Sequence, residues 1–354
     1  MQKINHSAGY KALHPIFDEF ERFYFATSGN SVQGSNSLIP VTFDRTFEPL
    51  QGIFNKYGNQ HYNFSFTDKH YDYLPLESYD KNSIIIAFSG GKDSVATALK
   101  YRDLGYDVYL YHLRGLKTNS YPTEWKSAKE LAERLNLPLV IEDIQLFGKL
   151  DFPEHPLKNI IIANNMLQYG IKNHIGINIA FGNYTTSELD YTAFYYAGDD
   201  CIDMWGYYGY ILSNIIPDFK VGLILSDLND TLETMSADKD LLALCQSCLG
   251  AHRFREYNRK HVQEKYGIEL MPNRCGVCWK CAVEYIYMAD HDVLQYNEDY
   301  YKHCLDVLKK ANKHENKLEF TSIEDLWSVY FRYDIKQSKW KDIVGYGKRK
   351  KRIK

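Results

Sequence analysis

The sequence predicts an α/β protein built on an open, doubly wound parallel sheet. Three observations predict it. Short apolar runs alternate with amphipathic stretches between Ile84 and Tyr184, the pattern of strands joined by crossover helices. A Gly-Gly segment sits at the first strand-to-helix junction, where ligands bind in such sheets. Five of the seven cysteines crowd between Cys245 and Cys281, which adds a Cys-rich, metal-binding region after the sheet.

The elements follow in order. Residues 1–80 read as an N-terminal extension without a chemical motif: a Ser/Asn/Gly loop at 28–37, then "HYNFSFTDKHYDYLPL", whose partial alternation suggests strands. "SIIIAF" is a buried strand. After the glycines, Val95, Ala98, Leu99 and Leu104 fall at helical spacing, with Gly105 as the cap. "YDVYLYHL" is the second strand. "TEWKSAKELAERLNL" is a helix with Thr123 as N-cap and Trp125, Ala128, Leu131, Ala132 and Leu135 on one side. "PLVIEDI" is a third strand, "LKNIIIANNMLQYG" a helix ending at Gly170, and "HIGINIAFG" a fourth strand. The divisions expected are 1–80 as extension, 81–230 as nucleotide-binding domain, 231–299 as Cys-rich region and 300–354 as a C-terminal extension.

Composition narrows the function classes. A chain of 354 residues with 45% hydrophobic and 25% charged residues builds a real core and is not a disordered polyelectrolyte. Its 30 tyrosines suit half-buried surfaces and stacking on flat ligands. The net charge is −3, yet the final "KRKKRIK" is strongly basic, so the body is more acidic than the total. Such a body is not a general nucleic-acid surface, and the tail reads as a solvated terminus. No secretory leader or membrane-length apolar run is present, which sets the expectation of a cytoplasmic protein with no membrane partner.

The loop reads "SGGKDS", Ser89–Ser94. A helix N-terminus presents unpaired N–H groups and partial positive charge, and glycines let the backbone wrap an anion. Ser89 and Ser94 add hydroxyls and Lys92 adds a cation. Asp93 suits a phosphate site only if Mg²⁺ accompanies the phosphate. The motif is not a Walker loop, because Lys92 is followed by Asp93. It resembles the signature of the PP-loop ATP pyrophosphatases, of adenine-nucleotide alpha hydrolase-like fold, which cleave ATP between the α and β phosphates and adenylate a substrate oxygen. The resemblance implies that Ser89, Gly90, Gly91, Lys92, Asp93 and Ser94 hold the phosphates and Mg²⁺, with Lys92, Asp93 and Ser94 catalytic. It places the segment from His112 to Arg114 near the adenosine.

"RCGVCWKC" carries Cys275, Cys278 and Cys281. Three thiolates so spaced can wrap one tetrahedral ion. "CQSC" offers Cys245 or Cys248 as a fourth ligand, with His252 weaker. A four-thiolate site suits Zn²⁺, and an iron–sulfur cluster also takes cysteines. Cys201 and Cys304 read as small apolar fillers.

A PP-loop followed by "SC" and "CGxCxxC" resembles the 7-cyano-7-deazaguanine synthases, the QueC family. That resemblance implies Cys248, Cys275, Cys278 and Cys281 as zinc ligands. It also places Gly182 and Asn183, at the end of "IGINIAFGN", on the active-site rim. It spans roughly Ile84 to Ala289. Lys92 stands where an aliphatic residue or Gln is usual, Lys158 where Arg is expected, and Glu284 where an Arg usually follows the last cysteine. The expected function is ATP-dependent activation of a 7-carboxy-7-deazaguanine-type carboxylate, then amidation by an amine donor and nitrile formation. Transfer to a protein or nucleic-acid amine in an anti-phage or nucleic-acid-modification pathway is the variant to which the added segments point. A homodimer is compatible with either. The alternative is PP-loop tRNA thiolation with the CxxC cysteines carrying sulfur or an iron–sulfur cluster.

Overall fold

Five parallel strands form the centre of the fold, because their residues are apolar enough to be covered on both faces. In a computed structural model the described residues are 4–6, 13–27, 39–50, 62–74, 82–114, 124–146, 158–184, 208–209, 211–217, 219, 221–225, 228–246 and 252–314. The strands are β1 (Ile4–His6), β2 (Ile39–Asp44), β3 (Tyr62–Thr67), β4 (Ser83–Ala87), β5 (Asp107–Arg114), β6 (Leu139–Leu146), β7 (Ile179–Tyr184) and β8 (Val221–Leu225). The helices are α1 (Pro15–Thr27), α2 (Lys92–Asp103), α3 (Glu124–Leu135), α4 (Lys158–Lys172), α5 (Leu228–Ser236), α6 (Lys239–Leu244), α7 (His252–Tyr266), α8 (Trp279–Asp290) and α9 (Glu298–His314).

The main sheet has the order β1-β6-β5-β4-β7-β8. Strands β4 to β8 are parallel, and β1 closes one edge antiparallel to β6. From β4 the chain steps outward through β5 to β6, then returns to place β7 on the other side of β4. The direction reverses between β4 and β7, so their carboxyl ends open the crevice in which doubly wound sheets bind ligands. The side chains of β4 show why both faces must be covered: Ile84 and Ile86 enter one core and Ile85 the other. The first core joins α2, α3, α5, α6 and α8 with α9; the second joins α1 and α4 with Tyr208, Ile211, Leu212, Ile215, Ile216 and Phe219.

The N-terminal residues belong to that second core. Ile16, Phe17 and Phe20 of α1 bury with Ile85, Tyr111 and Ile161, and Asn164 Nδ2 donates to the Phe17 carbonyl at 3.3 Å. Strands β2 and β3 form a separate two-stranded parallel sheet.

Two local readings change. Gly170 does not end α4, which runs on to Lys172. A Cβ at Gly170 would lie 2.4 Å from the Gly176 carbonyl oxygen and 2.7 Å from Ile85 Cδ1, so the glycine lets the helix approach the sheet. Leu104 is 63% exposed rather than buried, because α2 ends there. Gly105 follows at φ +85°, as a helix-terminating glycine should. Thr123, Asp200, Cys201, Cys248 and the basic tail lie outside the described residues. No helix among the described residues is long and apolar enough to cross a membrane.

Candidate nucleotide and metal site

The Gly-Gly loop leaves β4 at the crevice and enters α2. Gly90 has φ +76°, and a Cβ there would lie 3.0 Å from the Ala128 amide nitrogen of α3. Glycine is required on both counts. Gly91 is the N-cap of α2 with extended backbone and no side-chain capping bond, so the first turn depends on what lies in front of it. Lys92 and Asp93 occupy that turn, and a helix N-terminus draws anions by its amides and dipole.

The hydroxyls shape the loop. Ser94 Oγ donates to the Gly91 carbonyl at 2.9 Å, and Ser89 Oγ accepts from the Gly91 amide at 3.2 Å. The two hydroxyl oxygens are 3.5 Å apart. Lys92 Nζ contacts both carboxylate oxygens of Asp93 at 3.0 Å. This adjacent pair holds a cation and an acceptor at one helix end, the two charges that a phosphate–Mg²⁺ complex requires in complement.

Gly182 lies against this helix end. A Cβ on it would sit 2.8 Å from the Asp93 carbonyl carbon and 2.8 Å from the Ser94 nitrogen. These are backbone atoms and cannot swing aside. Gly182→Ala is therefore expected to shift the first turn of α2, lowering stability by about 1–3 kcal/mol. Denaturant midpoints check it; a wild-type midpoint would contradict the packing described. Asn183 is buried beside Gly182 on β7.

His112 is 7% exposed on β5, and its Nδ1 faces the Phe88 carbonyl at 2.7 Å. A carbonyl only accepts, so Nδ1 carries the proton. Burial holds the imidazole below its ordinary value of 6.5, with the Phe88 bond opposing and the Arg114 charge assisting. An unfolded chain then binds a proton just below pH 6.5 that the folded chain refuses, so stability rises with pH through that window and is lost as pH falls into it. His112→Gln is expected to flatten the stability profile as pH falls below 6.5; an unchanged slope in denaturation would sink this assignment.

Arg114 lies further along β5. It forms a fork with Asp143, with Nε 2.5 Å from Oδ1 and Nη2 2.6 Å from Oδ2. Its guanidinium carbon lies 5.5 Å from the Trp125 ring centroid. Trp125 begins the helix whose Ala128 touches Gly90, so the crevice gains an aromatic and cationic wall suited to a flat ring.

The cysteines converge. Cys275, Cys278 and Cys281 place their sulfurs within 4.8 Å of one another. Cys281 lies 3.8 Å from Cys275 and 3.5 Å from Cys278. Thiolates sharing one tetrahedral ion at a bond length of about 2.3 Å stand about 3.8 Å apart, so the three fit a single ion. The turn depends on Gly276, at φ +75°, where a Cβ would meet Leu270 Cδ1 at 2.6 Å. Tyr300 of α9 donates to the Gly276 carbonyl at 3.0 Å, and Cys278 is the N-cap of α8, where the helix dipole favours a thiolate.

Cys245 does not join them. It is fully buried in the apolar core, its Sγ 3.4 Å from the Leu241 carbonyl. Burial pushes its thiol up to about 12, and its sulfur is not among the three that converge.

Sequence reasoning missed the connection between the two halves of the site. The Gln246 amide donates to the Gly90 carbonyl at 2.9 Å. One residue back, the Cys245 carbonyl accepts from Arg274 Nη1 at 2.6 Å, and Arg274 Nη2 reaches the Leu242 carbonyl at 3.1 Å. Arg274 Nε then meets Glu284 Oε1 at 2.6 Å, with both side chains less than 10% exposed. Burial works against the Arg274 charge, but the Glu284 carboxylate and its hydrogen bond outweigh it and raise the guanidinium above its ordinary value. Arg274 adjoins Cys275, so the thiolate turn and the Gly-Gly loop are joined by a buried polar chain. The signal in the sequence was Glu284, the one acid in the apolar stretch "CAVEYIYMA".

No known protein family matches the chain, and no curated protein does. Among solved structures, the U34-tRNA thiolase NcsA from Methanococcus maripaludis, determined with its [4Fe-4S] cluster, is similar at 13% identity and a TM-score of 0.33, over 53% of this chain and 67% of that one. The NMN synthetase from Francisella tularensis is similar at 14% identity and a TM-score of 0.31, over 68% of this chain and 88% of that one.

Proposed function

We propose that this chain is an ATP-dependent adenylating enzyme of the PP-loop type, forming AMP and pyrophosphate, whose substrate is a carboxylate on a planar 7-deazaguanine-type ring. The observation that carries the reading is the course of "SGGKDS" from β4 into α2 at the reversal point of the sheet, with Gly90 at positive φ and Lys92 and Asp93 in the first helical turn.

The reaction needs few covalent roles from the protein. A carboxylate oxygen attacks the α-phosphorus of ATP, and the bond to the bridging oxygen breaks, with its electron pair leaving on pyrophosphate. The loop amides and Lys92 bind that developing charge, which stabilises the transition state. Asp93 would hold Mg²⁺, which supplies charge neutralisation on the phosphates. Ammonia then attacks the acyl carbon and expels AMP, giving an amide and releasing a proton. A second ATP adenylates the amide oxygen and releases pyrophosphate; loss of AMP and of the two N–H protons then gives the nitrile. What the enzyme must supply is mainly alignment of the carboxylate with the α-phosphorus. In this reading Arg114 and Trp125 receive one of the flat rings, supported by the guanidinium lying 5.5 Å from the Trp125 ring.

In this reading the three thiolates hold Zn²⁺ as a structural ion, which suits a site of tetrahedral spacing and sulfur donors. Cys248 is the remaining ligand proposed. Thiolation is the second reading, favoured by Lys92 within the loop and by the three convergent thiols, which in that reading carry sulfur or an iron–sulfur cluster. Purified protein with ATP, Mg²⁺, ammonium and 7-carboxy-7-deazaguanine tests the proposal. The expected result is substrate-dependent AMP with amide or nitrile, reduced about a hundredfold or more in Asp93→Ala, from a colourless zinc protein. A brown iron protein that forms AMP only with tRNA and a sulfur donor would establish thiolation instead.

A further inference from the structure

The buried cations of this protein are treated unequally. Arg274 is saturated by a carboxylate and two carbonyls. Arg255, on α7, is only 7% exposed, yet its Nε and Nη2 are sealed from solvent with no hydrogen-bond partner among the described residues. Those two atoms lie on one edge of the guanidinium. Their N–H bonds are parallel, and this is the edge that grips a carboxylate or phosphate with two bonds. A buried charge with an idle bidentate edge is costly and rare in a folded chain unless a partner arrives.

The surroundings specify the sign of that partner. Arg255 lies in the first turn of a helix of 15 residues that has no acidic residue in that turn. The amides and dipole of such a terminus favour an anion. The next acid, Glu256, is engaged by Arg259 at 2.8 Å and Lys260 at 3.8 Å. Seven positions along the same face, Val262 would touch a Cβ on Gly276 at 3.2 Å. Positions seven apart on a helix share a side, so Arg255 lies on the side of α7 that packs on the thiolate turn. That turn is in turn tied to the Gly-Gly loop through Arg274, Cys245 and Gln246.

We propose that Arg255 is an anion-binding residue whose Nε/Nη2 edge receives an oxyanion of the bound ligand at the N-terminus of α7. The oxyanion is a phosphate of the nucleotide or the carboxylate of the acceptor; only this choice of ligands rests on the adenylation reading.

The test compares wild type with Arg255→Met, Arg255→Lys and, as a control on the same helix, Arg259→Met. Thermal stability is measured without ligand, and dissociation constants are measured for ATP, inorganic pyrophosphate and 7-carboxy-7-deazaguanine. Arg255→Met is expected to be at least as stable as wild type, because it removes an unbalanced charge. Its dissociation constant for one ligand class is expected to rise about tenfold or more, with Arg255→Lys recovering only part, since lysine lacks the planar edge. A loss confined to ATP and pyrophosphate assigns the phosphate; a loss confined to the deazaguanine assigns the carboxylate. Wild-type affinity of Arg255→Met for all three probes overturns the proposal. So does a ligand-free destabilisation as large as that of Arg274→Met, which would mean that the edge is engaged within the protein. Wild type that binds the probes but forms no AMP overturns the adenylation reading alone, and wild type that binds none of them overturns both.

Discussion

Arg274→Met is expected to lower the stability of the protein by about 3–5 kcal/mol. The substitution keeps the volume of the side chain but removes its charge. Glu284, whose side chain is 7% exposed, then remains buried without its cation. The Cys245 carbonyl loses the Arg274 donor, and the Leu242 carbonyl keeps the Cys245 amide but loses its guanidinium bond. The double variant Arg274→Met/Glu284→Leu is expected to regain most of the loss, since well-packed apolar side chains often replace a buried ion pair at little net cost. Denaturant unfolding of the two variants checks this, and equal losses in both would contradict the pairing. In the proposed adenylation reading, the single variant is also expected to weaken ATP binding. Its lost contact to the Cys245 carbonyl is one residue from the Gln246 amide that holds Gly90.

The second large effect concerns the thiolate cluster. Cys278→Ala, or removal of the metal with a chelator, is expected to loosen the segment that contains α8 and α9. Structural zinc sites contribute an apparent binding free energy of about 10–16 kcal/mol at neutral pH, more than any single cavity in the core. Without the ion, three sulfurs within 4.8 Å of one another lose the tie that joins the turn at Gly276 to the start of α8. Metal content by mass spectrometry, paired with thermal unfolding with and without chelator, gives the result. Full metal occupancy in Cys278→Ala would show that the cluster does not bind as described.

The strand–helix order from Ser83 to Tyr184 was legible because it depends on local patterns: apolar runs, helical spacing and a glycine cap at Gly105. The loop was legible for the same reason, since its chemistry lies within six consecutive residues. What was not legible depends on contacts between distant residues. Gly182 could be placed at the rim by resemblance, but its need to be glycine comes from the backbone of Asp93 and Ser94. Gly170 looked like a helix terminator because the same residue type serves both helix ends and close packing. Arg274 and Glu284 flank the cysteines in sequence, yet their meeting with Leu242 and Cys245 requires α6 and α8 to be folded against each other. Glu284 also stands where the resembling family usually has an arginine; here the positive charge comes from Arg274, on the other side of the cysteines.

The N-terminal 80 residues were the least readable. Strand β1 is three residues long and, among the described residues, pairs with β6 alone, in a register that sets Ile4 against Leu146, 142 residues away. No pattern within so short a strand announces such a pairing.

The central claim is that a substrate carboxylate attacks the α-phosphorus of ATP in front of the Gly-Gly loop. It is tested most directly with a carboxylate substrate labelled with heavy oxygen on both oxygens, in the presence of ATP, Mg²⁺ and ammonium. The account predicts AMP bearing a single heavy oxygen taken from the carboxylate, with release of unlabelled pyrophosphate and loss of the reaction in Asp93→Ala. ADP and phosphate as products, or AMP that carries oxygen from water alone, would contradict it.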